Sequence, residues 1–194
     1  DRAGAGVELL ISAPQKGGSA SPGAALVMMN ADARAAIDET TSSSFACDLK
    51  KWLDIMEAYE GGGHAYHATM PTDALVQFHA TMKETEAYGF DKVRAEQQEL
   101  GDKLRAMLAG RGFKSLAAPG FEAPGVVVSY TDEADIQSGA KFAAEGLQIA
   151  AGVPLQCDEA DDFRTFRLGL FGLDKLQNID RTVENLDQVL SEIT

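Results

Sequence analysis

Ile11-Ser12-Ala13-Pro14-Gln15-Lys16-Gly17-Gly18-Ser19-Ala20-Ser21-Pro22-Gly23 sets one lysine at the mouth of an apolar run and follows it with small residues. Residues 7–11 read as a buried strand and residues 24–29 as a second one, so Lys16 is expected in a tight connection between two core strands. A lysine shielded from water in this way is costly unless it has a use, and its neutral amine can attack a carbonyl to form a Schiff base. The glycines and serines that follow leave backbone N–H and hydroxyl donors free for an anion. A lysine on a surface loop beside a glycine turn is the plainer reading of the same residues.

Working outward, residues 31–39 suit a short helix, 40–44 a polar break, and 48–59 a helix with Leu49, Trp52, Leu53 and Met56 on one face. Trp52 is expected in the core. Residues 60–72 form a glycine-rich loop that ends in a helix start, with Thr69 as N-cap and Pro71 in the first turn. A helix N-terminus bearing hydroxyls attracts anions. Helices are expected over 73–88 and 90–109, parted at Gly89, the second with Val93, Gln97, Leu100, Leu104 and Met107 along one stripe.

From residue 113 the pattern changes to short strands at 113–117, 126–131, 147–151 and 165–171, with helices near 135–145 and over 174–193. That is an α+β arrangement in which Leu176, Val183, Leu186 and Leu190 turn the last helix onto a small sheet. On the strand at 165–171, Arg167 faces away from Phe166 and Leu168 and needs an acceptor of its own. A guanidinium can hold a carboxylate through two parallel hydrogen bonds. An ion pair with Asp158, Glu159, Asp161 or Asp162 is the structural alternative, although Arg164 lies nearer those acids in sequence.

A chain of 194 residues with 45% hydrophobic side chains is expected to pack a core. The formal charge of -13, from 17 basic and 30 acidic side chains, argues against nucleic acid or an anionic membrane as the main partner. Cys47 and Cys157 stand far apart and outside any Cys-x-x-Cys spacing, which suggests neither a disulfide framework nor a cysteine zinc site. His64, His67 and His79 have no ligand partners at helical spacing, so metal is not expected. With no apolar run of membrane-spanning length and no signal-peptide pattern, the expected location is cytoplasmic. The chain opens at Asp1, a few residues before a strand, and is expected to be a piece of something longer.

The segment 12–17 followed by Ser21-Pro22-Gly23 resembles the lysine segment of the class V aminotransferases, fold-type I pyridoxal enzymes that include alanine-glyoxylate and serine-pyruvate aminotransferases. Tyr66-His67-Ala68-Thr69 resembles the Tyr-His-x-Thr run that binds the cofactor phosphate of the neighbouring subunit, and Phe166-Arg167-Leu168-Gly169 resembles the family's Phe-Arg-Ile-Gly motif. The resemblance implies an α/β fold, with residues 1–110 closing the large cofactor domain and 111–194 forming a small α+β domain. It assigns Lys16 as the catalytic Schiff-base lysine, Gln15, Lys16, Tyr66 and Thr69 as the cofactor-binding residues, and Arg167 as the group that holds the substrate carboxylate. The cofactor implied is pyridoxal 5'-phosphate and the assembly a homodimer with shared active sites. The reaction would pass an amino group from a small amino acid, of alanine or serine type, to a keto acid such as glyoxylate or pyruvate.

Two departures from that pattern stand out: the groups that stack on the cofactor ring belong to an upstream half, and Gly18 stands where relatives often carry a bulkier residue. Two other readings remain. In a desulfurase-like lyase of the same superfamily, Cys157 would be the loop nucleophile; its acidic neighbours disfavour a thiolate, and Gln15 stands where those lyases place a histidine. A non-catalytic α+β module that binds a small amino acid or a partner chain is the third.

Overall fold

The computed structural model describes residue 4 and residues 6–194. Two compact units are present, one ending at Thr81 and the other spanning Met82–Thr194. They divide inside a helix, whereas the motif-based division falls after residue 110.

In the first unit β1 (Leu9–Ser12) and β2 (Leu26–Met29) pair antiparallel with Leu10 opposite Met28. The strands lie where the apolar runs place them, but their burial does not follow. All four residues of β1 are exposed, Ile11 by 66%. The reason is that an unbroken apolar run anticipates cover on both faces, and among the described residues this sheet has only two strands. Helix α1 (Ala31–Asp38) is capped by the Asn30 side chain, which accepts from the Ala33 N–H at 2.9 Å. Asp48 caps α2 (Leu49–Glu60) in the same way through the Lys51 N–H. No residue of α2 is fully buried, and Trp52 is half-buried with its indole N–H donating to the Ala46 carbonyl at 2.8 Å. The core position expected for Trp52 is therefore corrected; a ring with a polar edge settles where that edge finds an acceptor.

Helices α3 (Thr72–Tyr88) and α4 (Phe90–Gly110) are parted at Gly89, whose φ of 103° lies in a region that favours glycine. The core of the second unit is built on α4. Leu100, Leu104 and Leu108, spaced by four, are essentially inaccessible to water. They belong to one cluster with Val127 of β3 (Val126–Tyr130), Phe166 and Leu168 of β5 (Thr165–Gly169), and Leu186, Leu190 and Ile193. Phe166 is the hub, with Phe113 edge-on at 5.2 Å and Phe142 tilted at 5.7 Å between ring centroids. Burial of each such side chain contributes about 1.5–3 kcal/mol.

Between β3 and β5 the chain forms α5 (Ala134–Ser138), α6 (Ala140–Ala144) and β4 (Ala150–Ala151). The single helix expected near 135–145 is thus divided, at Gly139 with φ 82°. The strand expected at 147–151 shrinks because Leu147 and Ile149 turn onto the core before pairing begins. At 113–117 only an isolated bridge forms, Ser115 opposite Ser129. The sheet order is β3-β5-β4, antiparallel throughout, with Arg167 opposite Val128 on one side and Ala150 on the other. The final helix divides into α7 (Leu173–Leu176) and α8 (Ile179–Ile193), and α8 presents Leu186, Leu190 and Ile193 to the core. Arg111 ties α4 to α8 by donating to the Asp187 carboxylate at 2.6 Å and its carbonyl at 2.8 Å, and that contact holds the Asp187 carboxyl below the usual carboxylate range.

Candidate functional site

Lys16 occupies a turn over residues 14–20 that joins β1 to β2. Two backbone bonds shape it: Ala20 N–H donates to the Pro14 carbonyl at 3.2 Å and Ser19 N–H to the Lys16 carbonyl at 2.9 Å. Ser19 adopts φ 51°, a left-handed conformation that costs a non-glycine residue about 1–2 kcal/mol. Pro14 is buried, whereas Gln15, Lys16 and Gly17 are exposed. The shielded lysine read from the flanking apolar runs is corrected here, for the same reason that β1 is exposed. Among the described residues no carboxylate pairs with Lys16, and a Cβ built on Gly17 meets nothing within 4 Å.

The segment that follows α2 carries the second group of candidates. Tyr66 is 78% exposed, and its hydroxyl lies 3.2 Å from the Thr69 hydroxyl. His67 turns the other way. Its Nε2 donates to the Phe45 carbonyl at 2.9 Å, while its ring stacks on Phe45 at 4.2 Å and meets Trp52 edge-on at 5.2 Å. Tyr66 and Thr69 are thus exposed with their hydroxyls together, while His67 packs against the aromatic residues. The expected cap differs as well: α3 starts at Thr72, and the Pro71 carbonyl accepts the Leu75 N–H at 3.0 Å, so Pro71 rather than Thr69 stands at the helix entry. Thr69 is left with its hydroxyl beside that of Tyr66.

Arg167 belongs to the second unit, in the central strand of its sheet. Phe166 and Leu168 point into the core, and Arg167 lies on the opposite face, half-buried. Its Nε donates to the Ala151 carbonyl across the β4–β5 pairing at 2.8 Å. The ion pair with the acidic loop does not form among the described residues. Glu159 is turned instead onto its own loop, where its carboxylate accepts the N–H groups of Gln156 and Cys157, each at 2.7 Å, and that of Leu155. Hydrogen bonds from its own backbone and from Cys157 hold the Glu159 carboxyl below its ordinary range. Arg164 donates to the Asp132 carbonyl at 3.4 Å rather than to those acids.

Gln15, Lys16, Tyr66 and Thr69 thus lie in the first unit and Arg167 in the second. The Tyr66 and Thr69 hydroxyls are paired; no hydrogen bond among the described residues links them to Lys16. The set is rich in donors and free of carboxylates: an amine, an amide, a phenol, an alcohol and a guanidinium. Elsewhere, a cleft of about 370 Å³ at the start of α8 is lined by Glu99, Lys103, Gln177 and Asp180 among others, and none of the candidates borders it. Among the described residues no group of three or more His, Cys, Asp or Glu side chains could hold a metal ion, and no helix is long and apolar enough to cross a membrane. The seat of the Lys16 turn on α3, formed by Ala74, Gln77 and Phe78, is absent from the sequence reading; its trace there is the pair of small residues, Gly18 and Gly23, where the chain must pass a neighbour closely.

No family model matches the chain, and no curated protein matches it. Solved structures do. An alanine-glyoxylate aminotransferase from Nostoc sp. superposes with a TM-score of 0.75 at 19% identity, over 97% of this chain and 49% of its own. An aspartate aminotransferase of subgroup IV from Thermus thermophilus gives 0.75 at 21% identity, over 99% and 51%. A ureidoglycine-glyoxylate aminotransferase from Bacillus subtilis gives 0.70 at 20% identity, over 96% and 48%. The chain spans about half the length of these structures, and its α/β fold is that of the C-terminal part of the pyridoxal-phosphate-dependent aminotransferases.

Proposed function

We propose that this chain is the C-terminal section of a pyridoxal-phosphate-dependent aminotransferase that moves an amino group from a small amino acid, of alanine or serine type, to a keto acid such as glyoxylate or pyruvate. The observation that carries the reading is the superposition on the Nostoc alanine-glyoxylate aminotransferase over 97% of the chain, together with an exposed lysine that has no acidic partner among the described residues. In this reading residues 1–110 close the large cofactor domain and 111–194 form the small one.

Pyridoxal phosphate, when bound, supplies the electron sink that makes the Cα–H of an amino acid acidic. The residues of this chain do the rest. Lys16 Nζ would hold the cofactor at its aldehyde carbon and, once the substrate amine has displaced it from that carbon, would carry the proton removed from the substrate Cα. Gln15 and the paired hydroxyls of Tyr66 and Thr69 donate to the phosphate, the hydroxyl pair serving the neighbouring subunit. Arg167 grips the substrate carboxylate with the guanidinium nitrogens left over from its bond to the Ala151 carbonyl. A section that leaves the ring-stacking groups to an upstream half has reason to bind cofactor weakly alone, so the complete protein is the species to test.

Borohydride reduction of the complete protein with pyridoxal phosphate, followed by peptide mapping, is expected to find the pyridoxyl group on Lys16. Its appearance on another lysine ends the reading. The shared site predicts a two-fold dimer and a second result. Mixing a Lys16→Ala subunit with a Tyr66→Phe/Thr69→Ala subunit should restore activity in the heterodimer, because one of its two sites then has every group intact. Heterodimers no more active than either parent would remove the shared-site assignment.

A further inference from the structure

Gly18 and Gly23, flanking the outer half of the Lys16 loop, have no room for a side chain, and both lie against one face of α3. A Cβ on Gly18 would stand 2.7 Å from Cε2 of Phe78 and 2.7 Å from the Pro14 carbonyl oxygen. One on Gly23 would stand 2.7 Å from the Ala74 Cβ and 3.4 Å from the Pro71 ring. Between them the Gln77 side-chain oxygen accepts the Ser21 N–H at 3.4 Å. Ala74, Gln77 and Phe78 are spaced by three and one, which puts them on a single helical face. The loop is therefore seated along the first two turns of α3, with equally close approaches at Gly18, beside the Phe78 ring, and at Gly23, beside Ala74.

That approach bears directly on the lysine. The Pro14 carbonyl that hems in Gly18 is the acceptor for Ala20 N–H, and that bond closes the turn around Lys16 and the left-handed Ser19. A side chain forced between the ring and that carbonyl must displace one of them, and moving the carbonyl opens the same turn; losing the ring removes the support on which Gly18 is seated. Next to Gly18 in the chain, Gly17 has open space around it and Lys16 is exposed. The same helix is entered from the Tyr66–Thr69 run, so one rigid element carries the seat of Lys16 and follows directly on the hydroxyl pair.

We propose that Phe78, through its contact with Gly18, is a positioning residue for the Lys16 amine. The use made of that amine rests on the functional reading above; the seat itself rests on the contacts alone. Its test needs no cofactor. Phe78→Ala, Phe78→Leu and Gly18→Ala are prepared in the full chain, with Val76→Ala as a control on the same helix at a residue 70% exposed. Two quantities are read: amide hydrogen exchange over residues 14–21, and the rate at which Lys16 is acylated by a limiting amine-reactive reagent at one fixed pH, with Lys51 as internal reference.

Phe78→Ala and Gly18→Ala should speed exchange at Ser19 and Ala20 by about five- to ten-fold, the size of one lost backbone hydrogen bond. The Lys16 acylation rate should change relative to that of Lys51 in both. Phe78→Leu should retain most of the wild-type behaviour, and Val76→Ala all of it. Unchanged exchange and an unchanged Lys16 acylation rate in Phe78→Ala overturn the proposal. So does a rise spread equally over β1, β2 and α2, which is general loosening. If Phe78→Ala does not fold, Phe78→Leu decides: a partial effect confined to residues 14–21 upholds the proposal and its absence overturns it. A protein can pass this test and still place no pyridoxyl group on Lys16, in which case the functional reading fails and the seat stands.

Discussion

Lys16→Ala in the complete protein is expected to abolish transamination while leaving the fold intact. Lys16 is exposed in a turn whose shape comes from backbone bonds at Ser19 and Ala20, so removing its side chain breaks no packing and no ion pair among the described residues. The loss should therefore be chemical. General acid–base catalysis alone contributes about 10²–10⁴-fold, and the amine is asked in addition to hold the cofactor covalently, so turnover should drop below detection in an assay spanning four decades. Thermal unfolding of the variant should match the parent closely. Added methylamine should return part of the proton-transfer step, since a small free amine can take the place of the lost side chain. A Lys16→Ala protein that still exchanges amino groups at an appreciable fraction of the wild-type rate would refute the assignment of Lys16.

The second large effect is expected at Arg167. Its Nε is committed to the Ala151 carbonyl, which fixes the plane of the guanidinium and leaves the remaining nitrogens to meet a carboxylate side by side. Lysine has a single nitrogen on a flexible stem and cannot satisfy the carbonyl and grip two oxygens together. A charged hydrogen bond contributes about 1.5–3 kcal/mol, so Arg167→Lys should lower kcat/KM for an amino acid by roughly 10- to 100-fold. Binding of the cofactor, followed by its absorbance, should be retained. The discriminating measurement sets a carboxylated substrate beside the corresponding amine without the carboxylate, for which the substitution should be nearly neutral. An equal loss on both substrates means that the arginine serves the β4–β5 pairing through Ala151 and not the carboxylate.

The rival reading of Arg167 as a partner of the acidic loop was a fair inference from sequence, because four carboxylates precede it within ten residues. It fails on a local point of backbone geometry. Gln156 and Asp158 take left-handed φ values of 61° and 62°, the loop curls, and its N–H groups converge on Glu159. A carboxylate satisfied by its own loop gains little from a more distant guanidinium. Nothing in the order of the residues announces that curl, since neither position is a glycine.

What the sequence determined by itself are the features that depend on spacing along one segment. The break between α3 and α4 at Gly89, the stripe of Leu100 and Leu104, and the outward side of Arg167 opposite Phe166 and Leu168 all follow from the periods of helix and strand. The tertiary structure alone decided which faces are covered. The apolar run of β1 is consistent with burial, yet Ile11 and Lys16 are exposed, because burial depends on layers that a run of residues does not specify. Likewise Arg167 meets the Ala151 carbonyl only through the register of β4 on β5, and Gly18 meets Phe78 only because the loop folds back on a helix some sixty positions later. Contacts between distant positions carry no period, so no pattern in the chain could have named them.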